Sequence, residues 1–230
     1  MHAIVMAAGE GRRLRPLTER WPKPILPVDG KPVIGLLLRE LRAAGCERAT
    51  IVTGHLAEQV ESLIGDGAGF GIAVTYVRQP RVDGSADAVR RALDSGVEPP
   101  AIVVAADTVF PTGAIGLFRS GWGAAPGALA ARRGQPVGGG KPGIRGDHRG
   151  RVLRVEDDDP AGELTSVPLW GLGEPLLPYF DNLTGPPYEL KDAYQRAVDA
   201  GAEVRLVMLP GTRDLTRPED LVRENFPYLA

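Results

Sequence analysis

A cluster of glycines and cations follows the first apolar run of the chain, and these residue types suit a phosphate-rich anion. Residues 3–8 are apolar, Gly9 and Gly11 follow, and segment 12–31 carries six basic residues against two acidic ones. Glycine lets backbone N–H groups approach an anion, and arginine binds phosphate through paired hydrogen bonds. The four prolines in this segment exclude a regular helix. We therefore predict a phosphate-binding loop.

Two well-known phosphate loops do not fit this sequence. A dinucleotide-binding fingerprint needs a third glycine where the chain has Leu14. A Walker loop needs Gly-Lys-Ser/Thr, whereas the chain offers Gly140-Lys141-Pro142. What remains is a strand, a glycine turn and several arginines, which can recognise a triphosphate without a Walker helix.

Composition narrows the class of protein. A chain of 230 residues with 43% hydrophobic content predicts one α/β domain with elaborations. A net charge of −2 argues against a general nucleic-acid or membrane binder. The only cysteine, Cys46, offers neither a disulfide within the chain nor a zinc site. The leading apolar run is too short for a signal peptide, and no run reaches membrane-spanning length. We expect a soluble cytoplasmic protein.

Short apolar runs alternate with helical patterns through the first half of the chain. Strands are predicted at 3–7, 49–53, 72–77 and 101–107. Strands that alternate with helices indicate a parallel sheet covered on both faces. Ligands of such sheets bind at the carboxyl ends of the strands. The loop after the first strand, the loop 78–87 and Asp107 all lie at such ends.

The second half is less regular. A glycine-rich stretch at 138–143 is predicted to be a flexible loop, and Asp214 lies between the last strand and the last helix. The predicted strands of this half are 127–133, 151–156, 166–172 and 203–209, and its predicted helices are 188–201 and 217–226.

The segment AAGEGRRLRPLTERWPKPILPVDGKPVI (7–34) resembles the signature of the sugar-1-phosphate nucleotidyltransferases. That signature reads G-x-G-(T/S)-R-L-x-P-L-T followed by P-K-P, and the family includes glucose-1-phosphate thymidylyltransferases and mannose-1-phosphate guanylyltransferases. The similarity continues through VTGHLAEQV, VRQPRVDGSADAV, AADTVF and GTRDLTRPEDL. It covers nearly the whole chain, although residues 111–185 match only loosely.

The resemblance implies a single Rossmann-like, GT-A-like α/β domain with a mostly parallel central sheet and helices on both faces. Residues 1–110 would form the nucleotide-binding half and residues 111–230 the acceptor-binding half. The implied reaction is Mg²⁺-dependent transfer of a nucleotidyl group from an NTP to a sugar 1-phosphate, which yields an NDP-sugar and pyrophosphate. A homo-oligomer is left open. The length leaves no room for a C-terminal β-helix or acyltransferase domain, so we expect the catalytic core alone.

The resemblance also implies roles for residues of the glycine and arginine loop. The backbone amides of Ala8, Gly9 and Gly11 would contact the nucleotide and its phosphates. Arg13 would hold the β- and γ-phosphates and stabilise the charge on departing pyrophosphate. Lys23 would bind phosphate oxygens at the reacting centre, including those of the acceptor.

Further roles are implied at the ends of later strands. Gln79 and the turn at Gly84 and Ser85 would contact the base. Asp107 and Asp214 align with the two acidic metal ligands of the family and would hold Mg²⁺. Arg13, Lys23 and Asp107 are thus the predicted catalytic residues. Several bases can be bound by this turn in the family, so the base is not predicted.

The chain departs from the family where an acceptor-binding Glu-Lys-Pro is usual. Glu156 would still face the acceptor's hydroxyls, but residues 157–160 read Asp-Asp-Asp-Pro, so the lysine that grips the acceptor phosphate is missing. Another cation (Lys141, Arg145 or Lys191) could replace it. Alternatively, the acidic cluster could hold a divalent metal, or the acceptor could be phosphocholine, a cyclitol phosphate or a phosphonate.

A second departure is Arg12, which stands where the signature has Thr or Ser and could add a contact to the triphosphate.

A third hypothesis for the function is a non-catalytic homologue that binds a nucleotide sugar and regulates a partner. Loss of Arg13, Asp107 or Asp214 would favour that hypothesis, and all three are present.

Overall fold

The computed structural model describes residues 1–134, 143–157 and 163–226, with the backbone alone at 156 and 157. Most of the predicted glycine-rich loop, residues 138–142, therefore lies outside the described residues.

The described elements are short strands and helices in alternation. The strands are β1 (His2–Ala7), β2 (Pro27–Val28), β3 (Lys31–Pro32), β4 (Arg48–Thr53), β5 (Ala73–Arg78), β6 (Ala101–Ala105), β7 (Thr108–Val109), β8 (Gly127–Arg133), β9 (Gly143–Gly146), β10 (Val152–Asp157), β11 (Leu164–Leu172), β12 (Val204–Met208) and β13 (Arg213–Asp214). The α-helices are α1 (Val33–Ala43), α2 (Ala57–Ile64), α3 (Ser85–Asp94), α4 (Ala114–Trp122), α5 (Leu190–Asp199) and α6 (Pro218–Asn225). The 3₁₀ turns are Arg12–Leu14, Leu17–Glu19, Lys23–Ile25, Ala68–Phe70 and Glu174–Phe180. None of the helices in these ranges is long and apolar enough to cross a membrane.

The central sheet is mostly parallel, as predicted. Its main path is β12-β8-β11-β6-β1-β4-β5, and the hairpin β9-β10 joins it at β11. The strands β1, β4, β5 and β6 pair in parallel. The strand β11 is antiparallel to both β6 and β8, and β12 is parallel to β8. Along this path only β11 runs against the others.

Helices cover both faces of the sheet, which confirms that prediction. Successive side chains of β1 alternate between the faces. Val5 belongs to the core beneath α1, α2 and α4, whereas Ile4 belongs to the core beneath α3 and α5. Because both faces are buried, the strands read as continuous apolar runs rather than as an alternation.

The helix α1 shows how the sequence determines an element of this core. Ile34, Leu37, Leu38 and Leu41 recur on one face and are at most 2% exposed. Full burial of each such side chain stabilises the fold by about 1.5–3 kcal/mol. The helix ends at Ala43, and Gly45, two residues later, has a φ of 85° and donates its N–H to the Arg42 carbonyl at 2.9 Å. A left-handed conformation just past a helix end favours glycine, which explains the residue at this position.

Several elements were not predicted from the sequence. They are α4, β9 and the two-residue ladders β2-β3 and β7-β13. Two-residue strands are too short to show a period of two, and Gly116, Ser120 and Gly121 interrupt the apolar pattern of α4. The proline-rich segment after β1 forms one-turn 3₁₀ helices and the short strand β2, so the predicted absence of a regular helix is confirmed.

The order of the strands creates a crevice at the carboxyl ends of β1 and β6. The chain passes from β1 to β4 through α1 on one face, and it returns from β5 to β6 through α3 on the other. The loops after β1 and β6 therefore begin at a point where the strand order reverses, and ligands bind at such points in open α/β sheets. The predicted division at residue 110 does not interrupt the sheet, because β6 pairs with β11.

Candidate active site

A cleft of about 320 Å³ opens at the crevice between β1 and β6. Its walls come from the loop after β1, from the segment after β6 and from Thr216 after β13. Its lining includes Gly9, Gly11, Arg13, Lys23 and Asp107, which the sequence nominated. The structure thus brings the predicted phosphate loop and the first predicted metal ligand together.

The loop after β1 is shaped by a tight turn at Gly11. This residue has a φ of 63°, and a Cβ there would lie 2.8 Å from the Thr18 methyl group. The Gly11 carbonyl accepts hydrogen bonds from Thr18 Oγ1 (2.9 Å) and from the Leu14 N–H (2.8 Å). Only glycine suits a position with both a positive φ and so close a neighbour. Ala8 is fixed separately, because its carbonyl accepts from the His55 N–H at 3.3 Å.

A buried leucine anchors this loop beneath its cations. Leu14 is fully buried in a small apolar cluster with Leu26, Val28, Val33 and Leu215. The arginines on either side of it are exposed. Leu215 comes from the segment after β13, so the cluster also fastens the C-terminal part of the chain to the phosphate loop.

Lys23 and Asp107 form an ion pair within the cleft. The Lys23 ammonium donates a hydrogen bond to the Asp107 carboxylate. Their side chains are only 15% and 26% exposed, so the attraction is less screened than at the open surface. Arg13 also lines the cleft, and it makes no ion pair with any residue in the described ranges. The Lys23 ammonium, which its ion pair holds in place, and the Arg13 guanidinium therefore both border the cleft.

Asp214 is held close to Asp107 by the ladder between β7 and β13. Asp214 lies opposite Thr108, whose hydroxyl donates to Asp214 Oδ1 at 2.6 Å. The Leu215 N–H donates to the Asp107 carbonyl at 3.1 Å. Asp107 and Thr216 line the cleft, whereas Asp214 is not among the described residues that do so.

Asp107 and Asp214 carry carboxylates, the ligand type that a hard cation prefers, and their role in holding a metal stays a prediction. Within the part of the chain that the structure describes, no three Asp, Glu, His or Cys side chains gather in a metal-binding group. Mg²⁺ commonly binds one or two carboxylates and takes its remaining ligands from phosphates and water. Asp107 and Asp214 fit that kind of site.

The loop before α3 is built around a buried amide. The Gln79 side chain is 3% exposed, and its Nε2 donates to the Gly84 carbonyl (3.0 Å) and to the Asp87 carboxylate (2.8 Å). Burial alone raises the pKa of Asp87, but hydrogen bonds from Arg91 and Gln79 outweigh it and leave the pKa lowered. In this structure the Gln79 amide supports the loop, and its contact with a base stays a prediction.

The same loop is held by hydrogen bonds to residues 188–190, and the sequence did not predict these contacts. Ser85 Oγ donates to the Glu189 carboxylate at 2.5 Å and accepts from the Leu190 N–H at 2.8 Å. The Ala86 N–H donates to the Tyr188 carbonyl at 2.9 Å. These contacts join positions about a hundred residues apart, and no local pattern marks them. The base contact predicted for Gly84 and Ser85 likewise stays a prediction.

We expect Gly84→Ala to destabilise the protein more than Gly96→Ala. Both glycines have a strongly positive φ (111° and 99°), which costs another residue about 1–3 kcal/mol. A Cβ at Gly84 would also lie 2.2 Å from the Tyr188 carbonyl oxygen, whereas nothing lies within 4 Å of one at Gly96. The clash should add about 1–3 kcal/mol. Urea unfolding of both variants measures the difference, and equal losses would show that the Tyr188 approach is not tight.

The predicted acceptor side is described only in part. Glu156 lies in β10, but its side chain lies outside the described residues, as do Asp158, Asp159 and Lys141. Of the other candidate cations, Arg145 is exposed on β9, and Lys191 is half-buried in the first turn of α5. The roles assigned to this region stay predictions.

A protein-family model described as nucleotidyl transferase matches residues 2–116, half of the chain. The match includes the loop after β1, the loop 78–87 and Asp107, and it ends before β13.

Named proteins resemble the chain over most of its length. A glucose-1-phosphate thymidylyltransferase from Streptomyces griseus is 31% identical over 98% of this chain. The low-salt glycan biosynthesis nucleotidyltransferase Agl11 from Haloferax volcanii is 27% identical over 98% of the chain. In both cases the match spans 65% of the relative's own length.

A solved structure shares the fold. UDP-glucose pyrophosphorylase in complex with UDP-glucose superimposes with a TM-score of 0.83 at 19% identity, over 99% of this chain and 98% of that one. The single-domain α/β architecture predicted from the sequence is thereby confirmed.

Proposed function

The chain belongs to the nucleotidyl transferase family, and we propose that it transfers a nucleotidyl group from an NTP to a sugar 1-phosphate. The products are an NDP-sugar and pyrophosphate. The observation that carries the proposal is the Lys23–Asp107 ion pair in a cleft that also holds Arg13 and the glycine turn. The name of the Streptomyces griseus relative and the UDP-glucose in the structural neighbour favour a sugar nucleotide as product.

The chemistry needs no general base from the protein. The acceptor phosphate is already an anion at neutral pH, and it attacks the α-phosphorus in line with the departing pyrophosphate. The main obstacle is repulsion between two polyanions. Preorganised cations that stabilise the charge of the transition state remove this obstacle.

Each described cation has a distinct part in this scheme. Arg13 is exposed and without an ion pair in the described ranges, so it can bind the β- and γ-phosphates bidentately. Lys23 sits deeper and acts on the phosphate oxygens at the reacting centre. The amides of Ala8, Gly9 and Gly11 bind the nucleotide phosphates from the backbone.

We propose Mg²⁺ as the cofactor, held by Asp107 and Asp214. The donor chemistry of two neighbouring carboxylates supports this assignment. When bound, Mg²⁺ supplies positive charge to the phosphate oxygens. Asp107 meanwhile orients the Lys23 ammonium, and Thr108 fixes the Asp214 carboxylate through its hydroxyl.

A phosphorylated acceptor other than a sugar is the second candidate. It is favoured by the Asp-Asp-Asp-Pro run at 157–160, which stands where the resembling family has the acceptor-binding lysine. If its three carboxylates faced the acceptor, they would repel a hexose 1-phosphate, unless a cation such as Lys191 offset them.

Pyrophosphate release tests the proposal. The chain is incubated with Mg²⁺ and each of ATP, CTP, GTP, UTP and dTTP, paired with glucose 1-phosphate, mannose 1-phosphate or phosphocholine. We expect release with one nucleotide and a sugar phosphate, and loss of release when EDTA removes the metal. Release with phosphocholine alone would establish the second candidate. Absence of pyrophosphate release with every pair, together with no nucleotide binding, would contradict an enzymatic function.

A further inference from the structure

Arg12 is a cation of the phosphate loop that the scheme above does not use. Its guanidinium donates to the Glu10 carboxylate through Nε at 2.8 Å and through Nη2 at 3.3 Å. Arg15 Nη2 approaches the same carboxylate at 3.4 Å. One carboxylate is therefore shared by two guanidinium groups, which leaves the trio with a net positive charge.

The position of Arg12 separates it from Arg15. Arg12 lines the cleft beside Arg13, whereas Arg15 and Glu10 are not among the described residues that line it. The Arg12 side chain is also 76% exposed. Arg12 can therefore reach an anion in the cleft, while Glu10 binds the Arg12 guanidinium from outside the cleft.

The ion pair between Arg12 and Glu10 lies at the surface, where the Arg12 side chain is 76% exposed and the Glu10 side chain is 32% exposed. The hydrogen bond from Arg12 is the main cause of the lowered pKa of Glu10, so the carboxylate is ionised at neutral pH. An ion pair this exposed contributes little, because water and salt screen it. A pyrophosphate group carries several negative charges and offers oxygens for bidentate binding, so it competes well for the guanidinium.

We propose that Arg12 is a second polyphosphate-binding residue, which Glu10 holds at the rim of the cleft until the β- and γ-phosphates displace it. The inference rests on the proposed function and deepens it. Arg12 then discriminates in favour of nucleoside triphosphates and pyrophosphate over ligands without a terminal phosphate pair. Glu10 weakens polyphosphate binding and so favours the release of pyrophosphate.

Calorimetric titration with inorganic pyrophosphate tests this inference. We expect Arg12→Thr to weaken pyrophosphate binding about ten-fold or more, because a charged bidentate contact is lost. Glu10→Gln should tighten binding about two- to five-fold, since it removes the carboxylate that competes for Arg12 in a solvent-screened ion pair. The double variant should behave like Arg12→Thr, because Glu10 acts only through Arg12. Arg12→Lys keeps the positive charge but loses the bidentate geometry of the guanidinium. Its pyrophosphate affinity should lie between those of wild type and Arg12→Thr.

Arg15→Thr is the matched control, since Arg15 also touches Glu10 but does not line the cleft; its pyrophosphate affinity should stay within about two-fold of wild type. A nucleoside monophosphate should bind wild type and Arg12→Thr equally. Unchanged pyrophosphate affinity in Arg12→Thr, or equal losses for pyrophosphate and the monophosphate, would overturn the inference while leaving the proposed function intact. Failure of the wild-type chain to bind any NTP or pyrophosphate would overturn both.

Discussion

Replacing Lys23 with alanine is expected to lower kcat/KM by about a hundred- to a thousand-fold while the protein stays folded, because one electrostatic group at a reacting centre has an effect of this size. Lys23 is the cation that the structure holds deepest in the cleft among those discussed, at 15% exposure, and it is oriented by Asp107. Steady-state pyrophosphate release measures the loss, and circular dichroism checks the fold.

Lys31→Ala is the control for that variant. Lys31 is a lysine of the same segment, but it is exposed in the small β2-β3 ladder. Its removal should change kcat/KM by no more than about two-fold, as expected for an exposed charge away from the site. If the two variants behave alike, Lys23 is not at the reacting centre.

Asp107→Asn should produce a loss of similar size, again about a hundred- to a thousand-fold in kcat/KM. The amide keeps the shape of the side chain but loses its negative charge. It can then neither anchor the Lys23 ammonium as an ion pair nor donate a charged oxygen to a metal. Kinetics measure the activity, and Mn²⁺ titration with the nucleotide present gives an independent readout of metal affinity.

The exposed Asp94 at the end of α3 provides the control, since Asp94→Asn removes the same charge away from the cleft. Asp94→Asn should leave both activity and Mn²⁺ affinity unchanged. Unaltered Mn²⁺ affinity in Asp107→Asn would remove Asp107 from the metal site, even if activity fell.

The sheet and the cleft could be predicted because their signals are local. Continuous apolar runs predicted β1, β4, β5 and β6. Parallel strands place their carboxyl ends at one edge of the sheet. Gly11 and the cations that follow β1 therefore had to lie near Asp107, which follows β6. The Lys23–Asp107 pair is a consequence of that shared edge.

Contacts between distant segments could not be predicted in the same way. The ladder that sets Asp214 beside Thr108 is two residues long and joins positions 106 residues apart. Ser85 meets Glu189 where α3 and α5 begin beside each other on one face of the sheet, at a separation of 104 residues. Neither contact is marked by a periodic pattern of residue types in the sequence.

Gln79 shows a different limit of sequence reasoning. Its position in the loop after β5 was predicted correctly, but residue type alone does not show what an amide binds. In the structure the amide is turned inward, where it joins Gly84 to Asp87. A role in supporting the loop and a role in binding a base would look the same in the sequence.

The fate of the nucleotide phosphates tests the central claim most directly. The active nucleotide and acceptor are supplied with ³²P at either the α- or the γ-position, and the labelled products are separated. In-line attack at the α-phosphorus predicts the α-label in the sugar nucleotide and the γ-label in pyrophosphate. Appearance of the γ-label in the acceptor or in orthophosphate would contradict nucleotidyl transfer in this cleft.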